Sequence, residues 1–251
     1  MAFYPGLVSI SFRRYSVDEI LAACRQAGLT CIEWGSDVHV PAGNARVADE
    51  VAAKTREAGL FTVAYGSYFR LGGNTPAEFA PYIDSAKRLG ARVIRVWGGV
   101  KGSEKMTAEE RARLVEDARA IADMAAAEGL TVTLECHGDT VTDHVDSAMA
   151  FYKEVNHPAL RAYWQPNQFY DEAYNLDAAE RYAPLTECVH VFQWSRTARH
   201  PLFEGREIWG KYLDLFRPEA ESRDIGLLLE FMHDDRLETL QETAQELGSW
   251  L

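Results

Sequence analysis

The sequence is short of cysteine and of basic residues, and both shortages narrow the class of protein. Its four cysteines form no CxxC or other zinc-ribbon spacing. Three of them, Cys31, Cys136 and Cys188, lie in apolar, strand-like runs, as small buried thiols in a reducing compartment do. The formal net charge is -12, from 26 Lys and Arg against 38 Asp and Glu, and no Lys/Arg run is present. Phosphate binding needs a basic surface, so we expect no nucleic-acid partner.

The chain also lacks the segments that direct a protein to a membrane. Residues 1–5 carry no basic region followed by a long apolar run, so no signal peptide is indicated. No apolar run approaches the length of a membrane span. We therefore expect a cytoplasmic protein with no membrane partner. No Pro/Ser-rich linker or sharp change in composition divides the 251 residues, which predicts a single domain over 1–251.

What the sequence does contain is a repeated alternation of strand-like and helix-like segments. This order predicts parallel strands joined by crossover helices, and eight such units in 251 residues fit a (β/α)8 TIM barrel. A doubly wound open sheet is the alternative, but no GxGxxG follows the first strand. The predicted strands are 7–11, 30–34, 60–65, 92–97, 130–136, 160–165, 188–193 and 225–231. The predicted helices are 17–27, 44–58, 76–89, 107–128, 142–155, 177–182, 208–216 and 236–251.

The run Thr131–Gly138 carries the clearest functional signal. Strand side chains alternate between faces, so Glu135 and His137 should point the same way. Charged groups at the end of a buried strand are costly unless they are compensated. A bound cation or a polar substrate would compensate them, and an ordinary salt bridge at a strand end is the alternative.

Polar residues also close the other predicted strands, where TIM barrels carry their active sites. Four of them, from consecutive strands, offer two carboxylates, an amide oxygen and an imidazole, which would suit a divalent metal with room for substrate oxygens. Mg, Mn, Co and Zn all remain open. These four candidate ligands are Glu135, Gln165, His190 and Glu230. The other polar or aromatic residues at strand ends are Glu33, Arg95, Trp97, His137 and Asn167.

At four motifs the sequence resembles the xylose isomerase-like TIM-barrel superfamily, which includes sugar isomerases and epimerases. The motifs are Leu134-Glu135-Cys136-His137, Tyr163-Trp164-Gln165-Pro166-Asn167, His190-Val191-Phe192-Gln193-Trp194 and Leu229-Glu230-Phe231. The resemblance implies one metal held by Glu, Asp, His and Glu on strands five to eight. Glu135, His190 and Glu230 match this pattern, but Gln165 stands where Asp is usual. An amide brings no charge, so weaker metal binding is expected.

The resemblance also implies roles for residues around the metal. Glu135 and Glu230 would be both ligands and the acid–base pair. His137 and Arg95 would bind substrate oxygens. Gln193, where relatives carry Asp or His after the ligand strand, is a candidate substrate contact, and Arg199, preferred to Arg196, lies in a loop that holds a substrate-contacting Arg in relatives. We expect Glu33 and Asn167 at the same carboxyl-terminal end of the barrel, which we call its mouth. Four tryptophans are candidates for its apolar walls, namely Trp34, Trp97, Trp164 and Trp194.

Together these features predict an isomerase or epimerase for a sugar or a small hydroxy-carbonyl compound, working through a metal-stabilised enediolate. Two carboxylates on opposite sides of a substrate would allow proton delivery to either face. A metal-free sugar-binding or regulatory barrel is an alternative, favoured by Gln165. A lyase or dehydratase acting through the same enediolate is a nearer one. Phosphodiester hydrolysis of the endonuclease type is disfavoured by the acidic charge balance. The sequence leaves a homo-oligomer open.

Overall fold

A computed structural model describes residues 3–251, in which eight parallel strands alternate with eight helices. The strands close into a barrel in chain order, because β1 pairs with both β2 and β8. The strands are β1 (Phe3–Val8), β2 (Cys31–Gly35), β3 (Phe61–Arg70), β4 (Val93–Trp97), β5 (Thr131–Glu135), β6 (Leu160–Trp164), β7 (Thr186–Val191) and β8 (Ile225–Leu229). The helices are α1 (Val17–Gln26), α2 (Ala45–Glu57), α3 (Ala80–Leu89), α4 (Ala108–Ala127), α5 (Val145–Val155), α6 (Glu172–Tyr182), α7 (Arg206–Ala220) and α8 (Leu237–Gly248). The predicted TIM barrel is confirmed.

Local sequence signals fix where the helices begin and end. Ser16 opens α1 with a capping box, in which its side chain accepts from the Glu19 N–H and Glu19 bonds back to Ser16. Thr107 and Glu110 open α4 in the same way. Gly90 closes α3 in the left-handed conformation, with φ +72°, which costs glycine little. Within residues 3–251, no helix has both the length and the apolarity needed to cross a bilayer.

The core has two layers, separated by the wall of strands. Outward-facing strand residues pack against the helices, while a smaller apolar group fills the inside of the barrel. This inner group includes Val8, Cys31, Tyr163, Cys188 and Leu228. Cys31 and Cys188 are thus buried free thiols, as predicted, whereas Cys136 is partly exposed. Because the interior is filled with side chains, ligands can enter only at an end of the barrel.

Several boundaries differ from the sequence prediction, and three of these differences have a visible cause. The first strand begins and ends earlier than predicted, because Ser9–Phe12 turns as a short 3-10 helix. The sixth helix begins earlier, because the Asp171 side chain accepts from the Tyr174 N–H and caps it. The third strand continues past Gly66 to Arg70, since Ser67 Oγ donates to the Arg95 carbonyl and ties the extension to β4. This last difference brings Arg70 to the mouth of the barrel.

The tight interior predicts a large effect of one added methyl group. A Cβ at Gly6 would lie 2.5 Å from Cys31 Sγ and 2.6 Å from Leu228 Cδ2. We expect Gly6→Ala to lower the free energy of unfolding by about 1–3 kcal/mol, measured by urea unfolding. Gly210 in α7 has no atom within 4 Å of such a Cβ, so Gly210→Ala should stabilise by about 0.5–1 kcal/mol. Equal stability of Gly6→Ala and the native protein would contradict this packing.

Candidate active site

Four polar side chains from consecutive strands meet at the carboxyl-terminal end of the barrel. Glu135 ends β5, Gln165 follows β6, His190 lies near the end of β7 and Glu230 follows β8. His190 Nδ1 lies 2.7 Å from Gln165 Oε1, 3.4 Å from Glu230 Oε2 and 3.8 Å from Glu135 Oε1. The structure therefore brings together the four residues that the sequence predicted as ligands.

Burial sets the protonation of this group. Glu135 and Glu230 are about 4% and 5% exposed and His190 is fully buried. Burial, assisted by the charges of Arg95 and His137, lowers the pKa of His190 well below its usual value, so its imidazole is neutral at pH 7. Burial and the nearby charge of Glu135 raise the pKa of Glu230 well above its usual range. A neutral imidazole and acidic oxygens are ligands that divalent metals bind.

The donor set fits a divalent cation on its own chemistry. A neutral histidine carries one N–H, so no more than one of the three oxygen contacts to Nδ1 can be a hydrogen bond. The other oxygens face the same nitrogen with no proton between them. Ligand atoms of Glu135, His190 and Glu230 all lie within 4.8 Å of one another. A cation among them would satisfy oxygens that the protein leaves facing each other, and the nature of the metal is open.

A buried ion network supports this group from below. The Arg95 guanidinium donates to Glu33 Oε1 through Nε (3.0 Å) and Nη2 (2.9 Å), and to Glu135 Oε2 through Nη1. Burial opposes the charge of Arg95, but Glu135 and then Glu33 raise its pKa well above the usual value. Gly66 makes room for the network, because a Cβ there would lie 2.3 Å from Glu33 Oε1. Arg95 and Glu33, predicted to bind substrate, are engaged with each other in this structure.

An aromatic stack forms the wall of the mouth on the β3–β5 side. The Trp97 ring stacks on the His137 imidazole, with centroids 4.1 Å apart and planes 29° apart. The Arg70 guanidinium carbon lies 3.5 Å from the centre of the Trp97 ring. His137 Nδ1 lies 2.8 Å from the Gly138 carbonyl oxygen. Trp97 and His137 thus lie where the sequence predicted, while Arg70 was missed.

The opposite wall contains the other predicted substrate contacts. Arg199 pairs with Asp235 at 2.5 Å, and its guanidinium carbon lies 4.8 Å from the centre of the Phe231 ring. Gln193 lines a cavity of about 240 Å³. Asn167 lines that cavity and a second one of about 530 Å³, but its Oδ1 accepts from the Phe169 N–H at 2.9 Å and shapes the loop. Their contact with substrate stays a prediction.

Two of the four candidate wall tryptophans are placed elsewhere. Trp34 is fully buried and donates from Nε1 to Thr55 Oγ1 of α2 at 3.1 Å. Trp164 packs on Tyr212 and Phe216 of α7, with ring centroids 5.1 and 5.2 Å away. Both rings therefore lie outside the barrel, against its helices, and the prediction that they line the mouth is wrong. Trp194 packs at the mouth, where its ring centroid lies 4.0 Å from that of Phe192 and 6.1 Å from that of Phe231.

The backbone after Glu230 adopts a conformation that bulky residues avoid. Phe231 has φ +42°, in the left-handed region. Its N–H donates to Ser11 Oγ at 2.8 Å, and the Glu230 N–H donates to the Val191 carbonyl at 3.1 Å. These bonds hold the turn that directs the Glu230 side chain toward His190. Strain of this kind gathers at functional sites, and no sequence pattern indicated it here.

The fold and the site define the class of protein: a TIM barrel with a candidate metal site at its carboxyl-terminal mouth. Residues 21–245 match the family described as xylose isomerase-like TIM barrel, so the chain belongs to that family. The resemblance seen in the sequence motifs is thereby confirmed.

Individual relatives are more distant. A 3-dehydroshikimate dehydratase of Bacillus anthracis is 28% identical over 132 residues, which are 45% of this chain and 47% of that protein. The chain thus spans about half of that relative. The crystal structure of the probable 3-DHS dehydratase AsbF of Bacillus anthracis has TM-score 0.81 at 20% identity, covering 98% of both chains.

Other solved structures share the fold at similar coverage. D-psicose 3-epimerase of Clostridium cellulolyticum H10, with D-tagatose, has TM-score 0.72 at 14% identity and covers 98% of both chains. A xylose isomerase-like TIM-barrel protein of Mycobacterium smegmatis in complex with magnesium has TM-score 0.71 at 17% identity, covering 99% of this chain and 98% of that one. The neighbours therefore include dehydratase and epimerase structures, and one that holds a metal.

The ion network predicts the cost of removing its centre. Arg95→Met would leave the carboxylates of Glu33 and Glu135 buried without their shared partner. We expect the free energy of unfolding to fall by about 3–5 kcal/mol at pH 7 in urea unfolding. The double variant Arg95→Met/Glu33→Gln should recover part of that loss, because one uncompensated charge is gone. Arg88→Met, which breaks exposed ion pairs to Asp49 and Asp84, should change stability by no more than about 1 kcal/mol. A similar loss in both single variants would contradict this account.

Proposed function

We propose that the protein is an enzyme that removes a proton next to the carbonyl of a small polyhydroxylated substrate. A proton is then returned to the neighbouring carbon, as in an isomerase, or to the opposite face of the same carbon, as in an epimerase. The observation that carries this proposal is the pair of buried carboxylates, Glu135 and Glu230, which both face His190 Nδ1 at the barrel mouth. Proton abstraction beside a carbonyl needs a base, an acid and a means of offsetting the charge that develops on oxygen.

Glu135, Gln165, His190 and Glu230 are the residues that would hold a divalent cation. Such a cation supplies Lewis-acid polarisation of the substrate carbonyl and offsets the negative charge that develops on its oxygen. Membership of the family and the magnesium complex of a structural neighbour support this assignment.

The protein's own residues orient the carboxylates, transfer the proton and exclude water. Arg95 holds Glu135 by Oε2 and leaves Oε1 turned toward His190. Glu230, whose pKa is raised by burial and by the nearby charge of Glu135, is suited to accept and return a proton. The bonds from Ser11 and Val191 fix the direction of its side chain. The closed interior below the site excludes water from that side, which strengthens electrostatic interactions within the site.

A dehydratase is the second candidate, favoured by the similarity to 3-dehydroshikimate dehydratase over 132 residues. The first step would be the same proton removal, but a hydroxyl on the carbon beyond would then leave as water. Product analysis separates the two, because dehydration lowers the mass by one water and leaves a carbon–carbon double bond. Isomerisation and epimerisation leave the mass unchanged.

Solvent exchange tests the function. Purified protein with Mn²⁺ in D₂O should introduce deuterium beside the carbonyl of a hydroxylated carbonyl compound, or eliminate water from it. The compounds tested are the neutral ketoses D-psicose and D-tagatose and the acid 3-dehydroshikimate, and the products are followed by NMR and mass spectrometry. We expect Glu135→Gln and Glu230→Gln each to lower the rate by about 10²–10⁴-fold, because each removes a proton-transferring group. Glu180→Gln, on the outer helix α6, serves as the control and should leave the rate unchanged. Full exchange rates in both site variants would contradict the proposal.

Gln165 provides a separate test of the metal assignment. Gln165→Glu adds a negative charge at nearly the same length, so we expect the Kd for Mn²⁺ to fall about tenfold, measured by isothermal titration calorimetry. Gln165→Leu removes the oxygen and should weaken binding. If neither substitution changes the Kd, or if the native protein binds no divalent cation, Gln165 and its neighbours are not the ligands.

A further inference from the structure

The stack of Arg70, Trp97 and His137 lies directly beside the candidate metal group. In the barrel register Arg70 of β3 is opposite Trp97 of β4, and Trp97 is opposite Glu135 of β5. The stack therefore begins at the level of Glu135. His137 continues it two residues further along the chain, a rise of about 6.6 Å in extended backbone. A substrate whose carbonyl end reached Glu135 would extend along this wall.

Arg70 differs from three other arginines around the mouth, because no residue among 3–251 pairs with its charge. Arg95 is shared by two buried glutamates, Arg13 pairs with Asp37, and Arg199 pairs with Asp235. Across residues 3–251, the Arg70 guanidinium makes no hydrogen bond and no ion pair, and its contact is the face of Trp97. That stacking orients the guanidinium while leaving its N–H donors free, which is how arginine is presented to an oxyanion.

The balance of formal charges around the mouth also favours a ligand that is an anion. Three carboxylates, those of Glu33, Glu135 and Glu230, face Arg95, Arg70 and the proposed divalent cation. With the cation present, these formal charges add up to one positive charge, and we assign it to Arg70 because the other groups compensate one another. The pairs Arg13–Asp37 and Arg199–Asp235 are each neutral. A single negative charge on the ligand would therefore balance the site, whereas a phosphate, with nearly two, would exceed it.

We propose that Arg70, held on Trp97, is the subsite for a carboxylate, and that the substrate is a small hydroxylated acid rather than a neutral sugar. The assignment rests on the proposed function for the position of the carbonyl end, and it names the class of substrate that this function acts on. The carboxylate binds through two N–H groups of the guanidinium, at the end of the molecule away from Glu135. Arg70 thus selects the substrate and positions it without taking part in proton transfer.

The test compares two open-chain ligands that differ at one carbon. D-gluconate has a carboxylate where D-glucitol has CH₂OH, and neither has a carbonyl on which the proposed reaction could act. Titration calorimetry on the native protein with Mn²⁺ should show gluconate binding about tenfold more tightly than glucitol, which is the usual contribution of one charge-assisted hydrogen-bonded pair. Arg70→Met should abolish this preference. Arg70→Lys keeps the charge and should keep most of it. Arg46→Met removes the same charge from an exposed position on α2 and should leave the preference intact.

Each other outcome contradicts the proposal. Equal affinities for the two ligands, including no measurable binding of either, mean that the mouth does not select a carboxylate. A preference that survives in Arg70→Met means that the carboxylate binds elsewhere, for example on the cation. Tighter binding of D-glucitol 6-phosphate than of gluconate assigns the subsite to phosphate. Failure of the proposed function is distinguishable, because it would abolish solvent exchange while the Mn²⁺-loaded protein still showed an Arg70-dependent preference for gluconate.

Discussion

The Arg95 guanidinium, shared by Glu33 and Glu135 inside the barrel, is the interaction on which the candidate site depends. A buried charge needs partners and space, and the fold supplies both: three neighbouring or nearby strands bring the charges together, and Gly66 leaves the gap they occupy. Arg95 holds one oxygen of Glu135, so the other oxygen has a fixed direction. The position of the donor group at the mouth depends on that constraint.

The layer of donor side chains at the mouth shows why the same barrel can serve several reactions. Glu135, Gln165, His190 and Glu230 each follow or end a different strand, so their spacing is set by the hydrogen-bonded ladder rather than by flexible loops. The turn after Glu230 has a left-handed residue, Phe231, and the Phe231 N–H donates to Ser11 Oγ near the other end of the chain. The chemistry is thus carried by rigid elements.

The sequence predicted the barrel and the four donor residues because both depend on local patterns. These patterns are strand-like runs that carry a polar residue at the carboxyl-terminal end. It missed Arg70, because the prediction ended β3 at Tyr65, and the continuation depends on a bond from Ser67 to Arg95 of β4, 28 residues further along the chain. The partnership of Arg95 with Glu33 is likewise non-local. The error for Trp34 and Trp164 was avoidable, since each is adjacent to a residue that faces the site and strand neighbours face opposite ways.

Proton removal beside a carbonyl is common to epimerisation, isomerisation and dehydration, so the donor layer alone does not select among them. The fate of the intermediate depends on which substrate atoms lie over Glu135 and Glu230, and that depends on how the rest of the substrate is held. In this chain the side of the mouth formed by β3–β5 presents a guanidinium on an indole, while the opposite side presents paired charges and aromatic rings. The asymmetry gives a substrate one orientation. If the proposed proton transfer occurs here, the wall above the donors, rather than the donors themselves, would determine specificity.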